Sequence, residues 1–187
     1  MKLVLASKSP RRSEILKNAG YDFVVRVADA DETIPEGTKP EDAVVLLAAR
    51  KAMAVERVDD EIVLGADTIV VLDNKILGKP KSREDAYNML KSLSGRVHSV
   101  FTGVCIIEKG KSMTFAEETE VEFLSLADEE IYGYIDTNDC YDKAGAYGIQ
   151  GYASKFVKRI NGDYFNVVGL PISAIFEKFF KKQKNND

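Results

Sequence analysis

Residues 61–72 run EIVLGADTIVVL. Two apolar blocks rich in β-branched residues, 62–64 and 69–72, have strand character. Gly65-Ala66-Asp67 interrupts them, and an acid stands inside an otherwise apolar strand. Upstream, residues 3–6 form a short apolar β run. Ser9 and Pro10 then open a helix carrying Ile15, Leu16 and Ala19, which Gly20 stops. Residues 22–27 read as a second strand, and 28–38 as an acidic loop containing Pro35 and Gly37. Thr38-x-x-Glu41 is a capping-box pattern with Pro40 in the first turn, and the helix it opens runs to about residue 58. Downstream, Asp73-Asn74 turns the chain into a short strand at 75–77. Ser82 caps a helix that Gly95 ends. Residues 96–108 and 111–126 form a hairpin joined at Lys109-Gly110. A short helix at 128–136 and an irregular Gly/Tyr/Asp-rich stretch at 137–155 follow. A strand at 156–160, a terminal helix from Pro171 and a polar tail at about 181–187 complete the chain. Hairpins mixed with crossovers predict an α/β fold with a mixed sheet.

Composition narrows the function. The chain has 187 residues, 45% hydrophobic and 30% charged, which suits a single globular domain over residues 1–187. A net charge of -4 argues against a dedicated nucleic-acid-binding module. One histidine, His98, excludes an HExxH zinc site and any multi-His cluster; on its alternating strand it reads as structural. Cys105 and Cys140 lack metal-ligand or disulfide-framework spacing. The longest apolar runs fall well short of the ~20 residues of a membrane span. The expectation is a soluble cytoplasmic protein with no membrane partner. No dimer seam is legible, and a homodimer stays open.

Six places are candidates for chemistry. Ser7-Lys8-Ser9-Pro10-Arg11-Arg12 joins a strand to a helix start, where backbone N–H groups and guanidinium forks suit phosphate. The same residues also fit an ordinary capped helix with solvated basic side chains. Asp67 needs a donor, a metal or a raised pKa to sit in an apolar strand, and is read as a metal-binding or base carboxylate. Its plainer reading is a bulge or helix cap. Lys79, between Gly78 and Pro80, suits a fixed charge or a surface turn. Lys51, alone, reads as a solvated helix residue, and Glu32 as a second carboxylate near a metal or a solubilising loop residue. Gln150, in DKAGAYGIQG (142–151), carries an amide able to pair with a base edge.

Eight stretches in order resemble the Maf family of nucleotide pyrophosphatases, the septum-formation-inhibitor-like proteins. They are LASKSPRRSEIL (5–16), ADADET (28–33), AARKA (48–52), VLGADTIVV (63–71), ILGKP (76–80), SGRVHSVFTGV (94–104), DKAGAYGIQG (142–151) and GDYFNVVGLP (162–171). The resemblance implies hydrolysis of a nucleoside triphosphate to the monophosphate and pyrophosphate with a divalent cation, Mg or Mn. It implies an elongated α/β fold with a central cleft between two lobes, similar to inosine triphosphate pyrophosphatases. It assigns Asp67 as proton acceptor. It places the selecting positions of the dTTP/UTP branch on Arg11, Thr68 and Gln150, and polar pocket positions on Ser7, Arg12, Glu32, Lys51 and Lys79. Asp67 and Glu32 are the expected metal carboxylates. The competing expectations are a nucleotide-binding regulator of septum formation without turnover, a 7-methyl-GTP pyrophosphatase, and a nucleic-acid-binding module.

Overall fold

The computed structural model describes residues 2–56, 58 and 60–183. The elements follow in the order β1 (Lys2–Leu5), α1 (Pro10–Asn18), β2 (Phe23–Val25), α2 (Pro40–Ala54), β3 (Glu61–Leu72), β4 (Lys75–Leu77), α3 (Arg83–Leu93), β5 (Val97–Glu108), β6 (Lys111–Phe123), α4 (Asp128–Ile135), β7 (Val157–Asn161), α5 (Tyr164–Val168) and α6 (Ile172–Ile175). The strands are hydrogen bonded in the order β2-β1-β3-β5-β6-β7, with β4 on β3. β1 runs parallel to β2 and β3. β4 is antiparallel to β3, and β7 to β6. This is the expected mixed α/β sheet. Among the described residues no helix is long and apolar enough to cross a membrane.

The chain divides into two compact units. The first comprises Met1–Asp67, Thr102–Glu117 and Gly169–Asp187; the second comprises Thr68–Phe101 and Glu118–Val168. Strands β3, β5 and β6 therefore each contribute residues to both. In the first unit, α2 lies directly on strand backbone. A Cβ at Gly103 would overlap the Val44 carbonyl group. One at Gly65 would overlap the Ala48 carbonyl and come within 2.9 Å of the Ala52 Cβ. Val4, Ala6, Ala48, Ala52, Val63 and Cys105 form the surrounding core. The second unit packs Leu90, Leu93, Phe123, Ile131, Tyr134 and Phe156 into its own core.

Several sequence expectations change here. β3 is continuous, with no break at Gly65-Ala66-Asp67. The glycine in a strand, which elsewhere marks a bulge, here makes room for a helix. α2 begins one residue later than the capping-box pattern implies, because Pro40 takes the first helical position and forces Lys39 into extended backbone at φ -66, ψ 150 as the N-cap. The Thr38 hydroxyl donates instead to the Pro35 carbonyl at 2.7 Å. The same helix ends at Ala54 rather than near residue 58. Ser9 is the N-cap of α1, but its side chain makes no capping bond. β2 is three residues long, shorter than read. The terminal helix continues past α6 as a π turn, Phe176–Phe180, and a last helical turn, Lys181–Gln183. The rest of the polar tail, 184–187, lies outside the described residues. Ser82 accepts from the Asp85 N–H, and Lys109-Gly110 joins the hairpin with φ 48 and 77, both as read.

Replacing Gly65 with valine forces α2 away from β3. The expected cost is about 1–3 kcal/mol of stability, read as a lower urea midpoint. His98 in the second unit gives a pH prediction. Burial pushes its pKa down from 6.5 to about 4. Between those values the unfolded chain binds a proton at this site and the folded chain does not. Stability therefore begins to fall as pH drops through 6.5, and this loss is complete below 4, amounting to about 3 kcal/mol. A His98→Gln variant should lose that one-proton slope in urea titrations across this range.

Candidate active site

Asp67 is placed by register. Leu5 pairs with Leu64, so β1 ends while β3 continues for eight more residues. At about 3.3 Å per strand residue, Asp67 stands roughly 10 Å beyond that last pair, where the first strand has already turned into the Ser7–Ser9 loop. In β3 the residues from Ile62 to Leu72 are buried except Asp67 and Thr68, which are half-buried. The acid thus occupies the one opening in this strand.

Its side chain points by alternation to the face that Gly65 presents, which is the face covered by α2. Lys51 and Ala52 lie one helical turn beyond Ala48 on that helix. The close approach at Gly65 therefore brings Lys51 over Asp67, with Nζ 2.5 Å from Oδ1. The two side chains are 20% and 13% exposed. This answers the question of how the strand tolerates a carboxylate: it has a cationic donor. It also corrects the reading of Lys51 as a solvated face residue.

Glu32 joins from the acidic loop, with Oε1 2.8 Å from the same Nζ. Arg50 holds that loop in place. Its guanidinium donates to the Asp31 and Thr33 carbonyls at 3.2 and 2.6 Å and pairs with the Asp31 carboxylate at 3.1 Å. Two adjacent basic residues on one helix end thus have separate tasks, Arg50 fastening backbone and Lys51 collecting carboxylates. Sequence reasoning passed over Arg50; the signal available was a basic pair, Arg50-Lys51, in a chain that also carries an acidic loop at 28–38.

Arg12 projects from the first turn of α1. Its Nε donates to the Gly169 carbonyl at 2.8 Å and its Nη1 to the Ser7 hydroxyl at 3.0 Å. The same hydroxyl accepts the Ser9 N–H at 3.2 Å. Desolvation lowers the Arg12 pKa. The Asp67 charge opposes that shift, Arg11 adds to it, and Glu32 opposes it in turn. Ser7, Arg11, Arg12, Glu32, Lys51 and Asp67 therefore belong to one cluster in the first unit. Gly169 is a member the sequence did not reveal, because a backbone carbonyl leaves no signature in residue identity.

Thr68, Lys79 and Gln150 belong to the second unit. Thr68 is half-buried and follows Asp67 directly in β3; Lys79 is exposed, beside buried Pro80; Gln150 is half-buried before the 3-10 turn Gly151–Phe156.

The family model described as Maf-like protein matches residues 2–181. The chain belongs to this family. This Maf-family chain is 51% identical over 187 residues to a protein of Bacillus anthracis (strain CDC 684 / NRRL 3495) named dTTP/UTP pyrophosphatase, covering 100% of this chain and 97% of that protein. It is 52% identical over 181 residues to a Thermoanaerobacter sp. (strain X514) protein of the same name, covering 95% and 94%. Among solved structures, a Staphylococcus aureus Ham1 protein overlaps at TM-score 0.48 with 18% identity, over 68% of this chain and 73% of that one.

The donor set fits a hard divalent cation. Asp67 and Glu32 both meet one ammonium, so the oxygens that contact it are no further apart than the sum of those two contacts. Two carboxylates that leave further positions for phosphate oxygens and water suit Mg or Mn. Among the described residues no group of three or more His, Cys, Asp or Glu converges on a metal site.

An Arg50→Ala variant should free the acidic loop while sparing the core. The expected result is hydrogen exchange about tenfold faster across residues 31–33, with a urea midpoint changed by no more than about 0.5 kcal/mol equivalent.

Proposed function

We propose that this chain is a metal-dependent nucleoside triphosphate pyrophosphatase that converts dTTP and UTP to the monophosphate and pyrophosphate, with residues 1–187 serving as one catalytic domain. The observation that carries the reading is the Lys51–Asp67–Glu32 cluster beside Arg12, in a chain 51% identical along its whole length to a protein named dTTP/UTP pyrophosphatase. House-cleaning of nucleotide pools in the cytoplasm accords with that activity.

The triphosphate brings about four negative charges. Arg12, aimed by the Gly169 carbonyl and the Ser7 hydroxyl, offers its guanidinium to the phosphates, with Arg11 and the positive end of α1 beside it. Lys51 and Lys79 add ammonium charge. Asp67 and Glu32 would hold a divalent cation, which would supply positive charge for the phosphate oxygens. Lys51 engages Asp67 at Oδ1, so Oδ2 takes the proton of the attacking water. The water oxygen bonds to the α-phosphorus, the bond from that phosphorus to the bridging oxygen breaks, and pyrophosphate leaves with the electron pair. Charge placed before the substrate arrives supplies most of the acceleration. Thr68 and Gln150, with Arg11, select the pyrimidine. An amide that both donates and accepts discriminates base edges strongly when the wrong base leaves it unpaired.

The test is a nucleotide panel with product identification, run with Mg or Mn and after chelation. The expected outcome is pyrophosphate from dTTP and UTP above dCTP, ATP and GTP, abolished by chelator. Asp67→Asn should lower kcat by at least about a hundredfold while retaining the wild-type fold by circular dichroism. A purine winner, stepwise phosphate release or near-normal turnover by Asp67→Asn would overturn the proposal.

A further inference from the structure

Lys79 and Gln150 stand on separate loops of the second unit, and one corner of backbone ties both loops together. Gly145 and Ala146 both adopt left-handed backbone, at φ 66 and 61. The Gly145 N–H donates to the carbonyl of Gly78, the residue before Lys79, at 3.0 Å. A side chain at Gly145 would press on Val70, with its Cβ 2.9 Å from Cγ1. Ala146 is buried. An alanine held at positive φ persists where its surroundings over-determine it, and such positions gather at functional sites.

The next residue supplies the constraint. Tyr147 is 5% exposed and His98 3%. The Tyr147 hydroxyl lies 2.7 Å from His98 Nε2. The two rings meet edge to face at 5.4 Å, and Phe123 packs edge-on against both, at 5.0 Å from His98 and 4.7 Å from Tyr147. His98 Nδ1 is buried with no hydrogen-bond partner among the described residues. The imidazole therefore makes one hydrogen bond, and it is to this hydroxyl. Burying a ring nitrogen unpaired is costly, and an apolar ring would fill the space more cheaply. What the histidine adds over such a ring is a partner for Tyr147.

We propose that His98 and Tyr147 are positioning residues for nucleotide selection: their hydrogen bond locks the Gly145–Ala146 corner, and that corner places Lys79 through Gly78 and Gln150 through the two residues between it and Tyr147. The proposal rests on the reading of Lys79 and Gln150 as nucleotide-binding residues. Hydrogen-bond recognition of a base depends on donors and acceptors being held in place, so a loosened corner weakens both binding and discrimination.

Tyr147→Phe keeps the ring and deletes the hydroxyl. With the full chain, the expected result is a KM for dTTP and UTP raised about three- to tenfold, the loss of one net hydrogen bond. The preference for dTTP over dCTP should shrink by a similar factor, with kcat within about twofold of wild type. The Gly145 amide should exchange about three- to tenfold faster by hydrogen exchange. His98→Gln retains a polar partner for the hydroxyl and should recover most of the KM and selectivity, whereas His98→Leu should behave like Tyr147→Phe. A lower Tm with unchanged KM, selectivity and Gly145 exchange in Tyr147→Phe and His98→Leu would reduce the pair to core packing and overturn the proposal. A drop in kcat at constant KM would do the same. Failure of the wild-type chain to hydrolyse any pyrimidine triphosphate would sink the functional reading and, with it, the role in selection; unchanged Gly145 exchange in a chain that does hydrolyse them would sink the positioning proposal alone.

Discussion

The absence of a side chain at Gly65 sets how near α2 can come to β3, and the chemistry of the first unit follows from that distance. Gly103 on β5 gives the same permission to the same helix, under Val44. With both glycines beneath it, the helix rests on strand backbone through Val44, Ala48 and Ala52. Lys51 lies on that stripe and cannot avoid the strand face two residues beyond Gly65, where Asp67 projects. A contact that looks like a packing detail thus aligns a cation with the acid.

The cluster built on this contact is balanced before any substrate arrives. Lys51 gathers Asp67 and Glu32, while Arg12 is held by a serine hydroxyl and a backbone carbonyl and feels both acids and its neighbour Arg11. Arg12 and Lys51 already have an orientation, so under the function proposed above little reorganisation is left for the moment when phosphate charge develops. The exposed member, Glu32, is 62% accessible and would wander on its loop. Arg50 prevents this by bonding the backbone on either side of it. The second unit solves the corresponding problem without charge: an aromatic core and one buried hydrogen bond hold a left-handed corner from which two loops hang.

Much of this was legible in residue order. The turn at Lys109-Gly110, the Ser82 cap and the mixture of crossovers and hairpins announced the mixed sheet, because turn and cap chemistry is local. The anomaly of an acid in an apolar strand pointed to Asp67. Where local rules failed, a tertiary contact or a neighbouring proline had overridden them. Gly65 read as an interruption because its compensating contact comes from a helix ending seven residues before β3 begins. Thr38 read as a cap because the pattern ignores how Pro40 restricts Lys39. Lys51 read as solvated because most helical lysines are.

By itself the sequence determined which residue types were available for the chemistry, and the order of strands and helices that carries them: a strand acid, a basic helix entrance, one histidine, and glycines where backbones must meet. Composition and local turn rules suffice for that, since they act within a few residues. Only the tertiary structure decided that Lys51 meets Asp67 and Glu32, that Arg12 is aimed by the Gly169 carbonyl, and that His98 serves Tyr147. These partners are separated by 16 to 157 positions along the chain. Their meeting is decided by how closely backbones pack and which faces they bury, and no short-range pattern encodes that.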